Sequence, residues 1–174
     1  SCHRLGCLHC GPDLQCGWRK LDELMTEQIT DHTVIGLSNA TLEALPDGVS
    51  TPSYDRSKLT PGIVHIGLGN FHRAHQAWYL HRLMQRGLAH NWAIIGAGVR
   101  HCDAIMRQRL LKQDWLTTLV ELDPDSASVE VIGSMIDFVE VHPENGPLIL
   151  AMSNPQIRIV SLTVTEGGYY QSEV

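Results

Sequence analysis

An α/β fold with a mostly parallel sheet is predicted by three stretches of this chain. In Gly62–Gln76, GIVHIGLGNFHRAHQ, the apolar run Ile63, Val64 and Ile66 suits a buried strand, and Gly67-x-Gly69 and a segment with helical spacing follow at once. Trp92–Val99 contains a second apolar strand, followed by a helical segment, Ala104–Lys112. Ile157–Thr165 is a β-branched run of the kind found in parallel strands buried on both faces. Strands that alternate with helices, the first pair joined by a glycine turn, define a Rossmann-like nucleotide-binding domain. Two β-rich segments, Trp115–Leu122 and Ser128–Met135, flank the turn signal Asp123-Pro124-Asp125-Ser126. They predict a β-hairpin inserted into the plain β-α-β order.

The glycine turn carries the chemistry. Gly67 lets the chain turn sharply, and Gly69 removes a Cβ where a pyrophosphate must approach. Asn70 is a suitable helix N-cap, and the helix start offers free N–H groups to phosphate oxygens. The usual fingerprint is G-x-G-x-x-G, and His72 occupies its third position. On G-x-G alone, a tight turn between a core strand and a core helix fits as well as a nucleotide site.

Composition excludes several classes. The chain has 174 residues, enough for one domain with a real core, and a hydrophobic fraction of 43%. Its net charge of −6 argues against nucleic acid or an anionic membrane surface as partner. No apolar run approaches the ~20 residues that span a bilayer. Residues 1–24 lack the apolar core of a secretory signal, so the default compartment is the cytoplasm.

Four of the five cysteines, Cys2, Cys7, Cys10 and Cys16, fall in residues 1–24. Cys7-x-x-Cys10 with His3 and His9 is the beginning of a zinc set, but no second pair completes it. Met25 opens a polar, start-like stretch, so residues 1–24 are read as a non-native or disordered leader. Residues 25–60 are an N-terminal extension: Ser38-Asn39-Ala40 caps a short helix through Leu45, and Pro46-Asp47-Gly48 ends it. The helix after the glycine turn is predicted over Asn70–Arg86, with Gly87 as its C′ residue. His72 and His75 stand at i, i+3 on it without an acidic third ligand, so no metal is expected there. Arg73 is either a phosphate contact or a solvated surface residue. Asp103, the first acid after the second strand, is either a ribose binder or the N-cap of Ala104–Lys112. Cys102 has no activating base and is read as structural or incidental. Pro143–Met152 is a helix closed by Asn154-Pro155.

Gly67-Leu68-Gly69-Asn70-Phe71-His72-Arg73-Ala74-His75-Gln76-Ala77 resembles the opening string of the polyol-specific long-chain dehydrogenases, in which histidine replaces the third glycine. Gly96-Ala97-Gly98-Val99-Arg100 and Ile159–Tyr169 resemble the same family, so the likeness runs from about Thr60 to Tyr170. It implies that Gly67, Gly69, Asn70, Phe71, His72, Arg73, Arg100 and Asp103 hold a nicotinamide dinucleotide. It also implies that Glu166, Gly167 and Gly168 form a loop beside the nicotinamide and substrate. An aspartate at position 103 repels a 2′-phosphate, which favours NAD. Cys102, where many members carry a second acid, and nearby Arg100 leave NADP open.

The resemblance implies a polyol or ketose substrate, D-mannitol to D-fructose in the first place, with fructuronate reductase and arabinitol dehydrogenase as near relatives. It implies no metal. The family's base is a lysine in a K-x-x-x-x-N-x-x-H string of a second domain, and Lys20, Lys58 and Lys112 lie in no such string. The expectation is therefore a partial Rossmann domain over residues 61–174, incomplete at its C-terminus, with a nucleotide site and no working catalytic centre. The expected cost is an exposed sheet edge and a tendency to aggregate.

Overall fold

The computed structural model describes residues 34–124 and 126–164. The zinc reading of residues 1–24 and the Glu166-Gly167-Gly168 loop lie outside the described residues.

The apolar run before the glycine turn forms strand β2, Pro61–Ile66; a short strand, β1, precedes it at Val49–Ser50. Helix α1 spans Asn70–Ala74 and α2 spans Gln76–Gln85, followed by β3 at Ala93–Ala97 and α3 at His101–Leu111. The hairpin is β4, Thr117–Leu122, and β5, Ala127–Ile132. Strand β6, Met135–Phe138, helix α4, Gly146–Met152, and β7, Ile159–Leu162, complete the described order.

The strands form two sheets. One is all parallel, in the order β6-β3-β2-β7, and the other is β1-β5-β4. In the parallel sheet Val64 lies opposite Ile95 on one side and Val160 on the other. Side chains alternate across it as the period of two requires. Ile63 and Ile94 pack with Leu80, Met84, Leu110 and Phe138 on the face covered by α2 and α3. Val64 and Ala97 pack with Leu148 of α4 on the other face. Each such fully buried large side chain contributes about 1.5–3 kcal/mol. This is the three-layer Rossmann arrangement that the sequence predicts.

Three expectations are corrected in detail. The helix expected over Asn70–Arg86 is two helices that meet at His75, whose φ −121 and ψ −84 leave the helical region. Its far end is as expected: Gly87 has φ +76, Gly87 N–H donates to Met84 O and Leu88 N–H to Leu83 O, the bonds of a Schellman cap. The segment Ser128–Met135 is not one hairpin arm: β5 ends at Ile132, and Met135 begins β6 in the parallel sheet. Asp103 is not the N-cap of its helix, which begins earlier, at His101; Asp103 occupies the third helical position.

The N-terminal extension packs against the rest of the domain. Ser38 caps a 3-10 turn over Asn39–Ala44, β1 pairs with β5, and Arg56 reaches inward. The Arg56 guanidinium donates to the carbonyls of Gly133, Asp114 and Met135 at 3.0, 2.8 and 2.7 Å. Those bonds join the extension to the start of β6.

Among the described residues β7 is the last strand of the parallel sheet on that side, and its Ile159, Val160 and Leu162 are exposed. No helix among the described residues is long and apolar enough to cross a membrane.

Candidate functional site

The carboxyl ends of β2, β3 and β7 surround the glycine turn. Gly67 has φ +95, a conformation that costs an L side chain energy, and its N–H donates to Ala97 O at 2.9 Å. The turn is thereby fixed to the end of β3. Leu68 is buried against Gly96: a Cβ at position 96 would lie 2.3 Å from Leu68 Cδ1. Thr163 N–H donates to Ile66 O at 3.1 Å and closes the β7 side.

Gly69 differs from Gly67. Its φ of −76 and ψ of 177 suit any residue, and an added Cβ would meet no atom of the described residues within 4 Å. Neither backbone nor packing calls for glycine at position 69. The space a side chain would occupy lies open beside the turn, as close approach of a ligand to the backbone requires.

Asn70 and Phe71 are exposed, and Phe71 stacks on His75 with ring centroids 4.3 Å apart. Arg73 donates to Asn70 Oδ1, while its buried Nε has no partner among the described residues. Asn70, Arg73, Ala74, Thr118 and Leu119 line a groove of about 200 Å³ between α1 and the hairpin.

On the β3 side, the Asp103 carboxylate turns back to the strand end. Its Oδ2 accepts from Arg100 N at 2.9 Å and Val99 N at 3.1 Å. Gly98 allows this, because a Cβ there would lie 2.2 Å from Asp103 Cβ. Arg100 is exposed, with Nε 3.6 Å from the same oxygen. Cys102 is an exposed free thiol. The structure therefore gathers Gly67, Gly69 and Asp103 at the carboxyl edge, with Asn70, Arg73 and Arg100 at its margin.

His72 stands apart from the turn's open side. It is 1% exposed and stacks on His65 of β2, with centroids 3.7 Å apart and planes 12° from parallel. His75 is exposed, so the H-x-x-H residues occupy different environments. No group of three or more metal-ligating side chains gathers among the described residues. His65, Gln76, Ser161 and Thr163, which form a partly buried polar cluster with His72, were missed from the sequence. One signal was available: a histidine in the otherwise apolar strand Ile63–Ile66.

Burial holds both imidazoles below their ordinary value, His72 down to about 3, with the neighbouring His65 ring as second cause. The unfolded chain therefore takes up protons that the folded chain refuses. Stability is full above pH ~6.5 and falls as pH drops toward 3, by ~1.4 kcal/mol per pH unit for each such proton. Urea midpoints measured from pH 7.5 to 4.5 should decline, and His72→Phe should flatten the decline. An unchanged slope in the variant would refute this assignment.

A profile of the mannitol dehydrogenase Rossmann domain matches residues 61–173. The chain belongs to this family. Mannitol 2-dehydrogenase of Cereibacter sphaeroides is 62% identical over 122 residues, which are 70% of this chain and 26% of that protein. Among solved structures, mannitol 2-dehydrogenase of Pseudomonas fluorescens, in a ternary complex with NAD and D-mannitol, superposes with a TM-score of 0.74 at 45% identity. That match covers 78% of this chain and 28% of the other. A substrate-free D-sorbitol dehydrogenase matches with a TM-score of 0.68 at 37% identity, over 79% of this chain and 29% of that one. The chain thus spans between a quarter and a third of the length of these relatives. Both of the family's glycine stretches, at 67–69 and 96–98, lie at the carboxyl edge described above.

Proposed function

We propose that this chain is the cofactor-binding part of an NAD-dependent polyol dehydrogenase whose reaction converts D-mannitol to D-fructose. The observation that carries the reading is Gly69, a glycine that the protein's own backbone and packing do not require, with open space at the turn. The Pseudomonas fluorescens relative, solved with NAD and D-mannitol, supports both the cofactor and the substrate. The likeness to a D-sorbitol dehydrogenase supports polyols as the wider substrate class.

In this reading the pyrophosphate lies over Gly67–Asn70, with Arg73 at the margin as a source of positive charge. Asp103 receives the adenosine ribose. Its Oδ2 is held by two backbone N–H groups, which leaves Oδ1, whose hydrogen-bond contact among the described residues is the Cys102 thiol at 3.9 Å, available to a ribose hydroxyl. Its charge opposes a 2′-phosphate, so NAD is preferred; exposed Arg100 nearby lessens that preference. Glu166, Gly167 and Gly168 are retained, on sequence alone, as a loop beside the nicotinamide.

When bound, the nicotinamide accepts the hydride of the alcohol carbon, and a base must take the hydroxyl proton. Lys58 pairs with Asp55 just before β2, and Lys112 ends α3; both lie at the amino edge of the sheet, away from the turn. Neither serves as that base, so the chain alone is proposed to bind cofactor without oxidising a polyol.

Gly69→Ala is the test. A methyl there meets open space, so the melting temperature should stay within about 2 °C of the parent while NADH affinity falls at least about tenfold. Unchanged affinity in the folded variant would contradict the reading.

A further inference from the structure

In the parallel sheet, β2 has β3 on one side and β7 on the other. The chain returns to opposite sides of β2 from here, which makes the β2/β7 boundary the topological switch point where open α/β sheets bind ligands. A partly buried polar cluster bridges that boundary.

His65, on β2, lies opposite Ser161 of β7. Its Nδ1 is 2.8 Å from Ser161 Oγ and its Nε2 is 3.0 Å from Thr163 Oγ1. His72 from the glycine-turn helix stacks on the same ring and holds Gln76 Oε1 at 3.0 Å through Nδ1. Gln76 Nε2 donates back to Ser161 Oγ at 3.4 Å.

The directions are mutually consistent for two neutral rings. Gln76 donates to Ser161, the Ser161 hydroxyl donates to His65 Nδ1, and His65 Nε2–H donates to Thr163. His72 Nδ1–H donates to Gln76. An apolar side chain would fill position 65 at less desolvation cost, as Ile63 does on the same face. The polar choice fixes geometry, because each bond is directional where apolar packing is not.

We propose that His65 and His72, with Gln76, Ser161 and Thr163, are positioning residues that set the separation of β7 from the glycine turn, and with it the crevice that receives the nicotinamide end of the cofactor. The proposal rests on the function proposed above. The side is assigned by topology: Asp103 lies beyond β3, so the adenosine half extends over β3 and the nicotinamide half over β7.

The test compares NADH with ADP-ribose, which lacks the nicotinamide, on the 174-residue chain. His65→Phe keeps a ring for stacking and deletes both hydroxyl bonds. Thr163→Val deletes one hydroxyl at nearly constant volume and serves if His65→Phe fails to fold. The expected result is NADH binding weakened about tenfold in His65→Phe and several-fold in Thr163→Val, with ADP-ribose binding within about twofold of the parent. Bound NADH should also shift its fluorescence emission toward that of free NADH.

Equal losses for both ligands, or no loss for either in folded variants, would overturn the positioning role while leaving the nucleotide site standing. A folded parent chain that binds neither ligand would overturn the proposed function itself, and the positioning role with it.

Discussion

Gly98→Ala should lose nucleotide affinity and stability together. The methyl would lie 2.2 Å from Asp103 Cβ and 2.6 Å from its Cγ, so strand end and helix cannot keep their positions. The nearest atoms belong to the root of the side chain, and rotation about χ1 does not clear the Cβ. Asp103 must leave Val99 N and Arg100 N, which strips two N–H groups at the start of α3 of their acceptor. Overpacking and loss of the cap each cost about 1–2 kcal/mol. The melting temperature should fall by about 5–10 °C. NADH affinity should fall more than tenfold, because the carboxylate proposed to hold the ribose has moved. Gly36→Ala is the matched control: its Cβ meets nothing within 4 Å, and stability and binding should both persist. Binding in Gly98→Ala equal to that of the control would refute the role given to Asp103.

Glu130→Ala should be strongly destabilising. Glu130, on β5, accepts from Trp78 Nε1 at 2.7 Å, and its other oxygen lies 3.3 Å from His81 Nε2 and 3.6 Å from Arg82. His81 is fully buried and in turn takes the Tyr54 hydroxyl at 2.7 Å and Gly133 N–H at 3.3 Å through Nδ1. Nδ1 is therefore the acceptor and Nε2 carries the proton toward Glu130. Burial lowers the affinity of His81 for a second proton, while Glu130 opposes that effect. Removing the carboxylate leaves the Trp78 N–H without its acceptor and takes the negative charge from beside His81 Nε2 and Arg82. The loss should be about 3 kcal/mol, or roughly 10 °C in melting temperature. Glu130→Gln retains an acceptor and should recover most of it. Gln keeps the volume and an acceptor oxygen, so equal losses for Ala and Gln would show that the negative charge, and not the acceptor, matters.

What the sequence made legible were features written into short stretches. The Ile63–Ile66 run, the Gly67-x-Gly69 turn, the Gly87 cap and the hairpin about Asp123–Ser126 each depend on neighbours a few residues away. Features that depend on distant partners were not legible. Arg56 bonds to carbonyls nearly 80 residues later, at Gly133 and Met135. His65 meets Ser161 and Thr163 almost 100 residues on. The helix break at His75 has no proline or glycine to announce it. The division between β5 and β6 lies at Gly133-Ser134, where the buried Ser134 hydroxyl donates to Ala77 O at 2.7 Å. That bond draws the chain from the hairpin toward the parallel sheet.

At the site, Gly67, Gly69 and Asp103 were named from sequence and lie together at the carboxyl edge. His72 was named with them and is found in the interior against His65, where its influence on the turn is indirect. The role of Gly98 as the space into which Asp103 packs required the structure.

The most direct test of the account is a calorimetric titration of the chain with NADH and with NADPH, on a sample shown to unfold cooperatively. Saturable NADH binding is expected, with NADPH about tenfold weaker because Asp103 opposes the 2′-phosphate. A cooperatively folded chain that takes up neither nucleotide would contradict it.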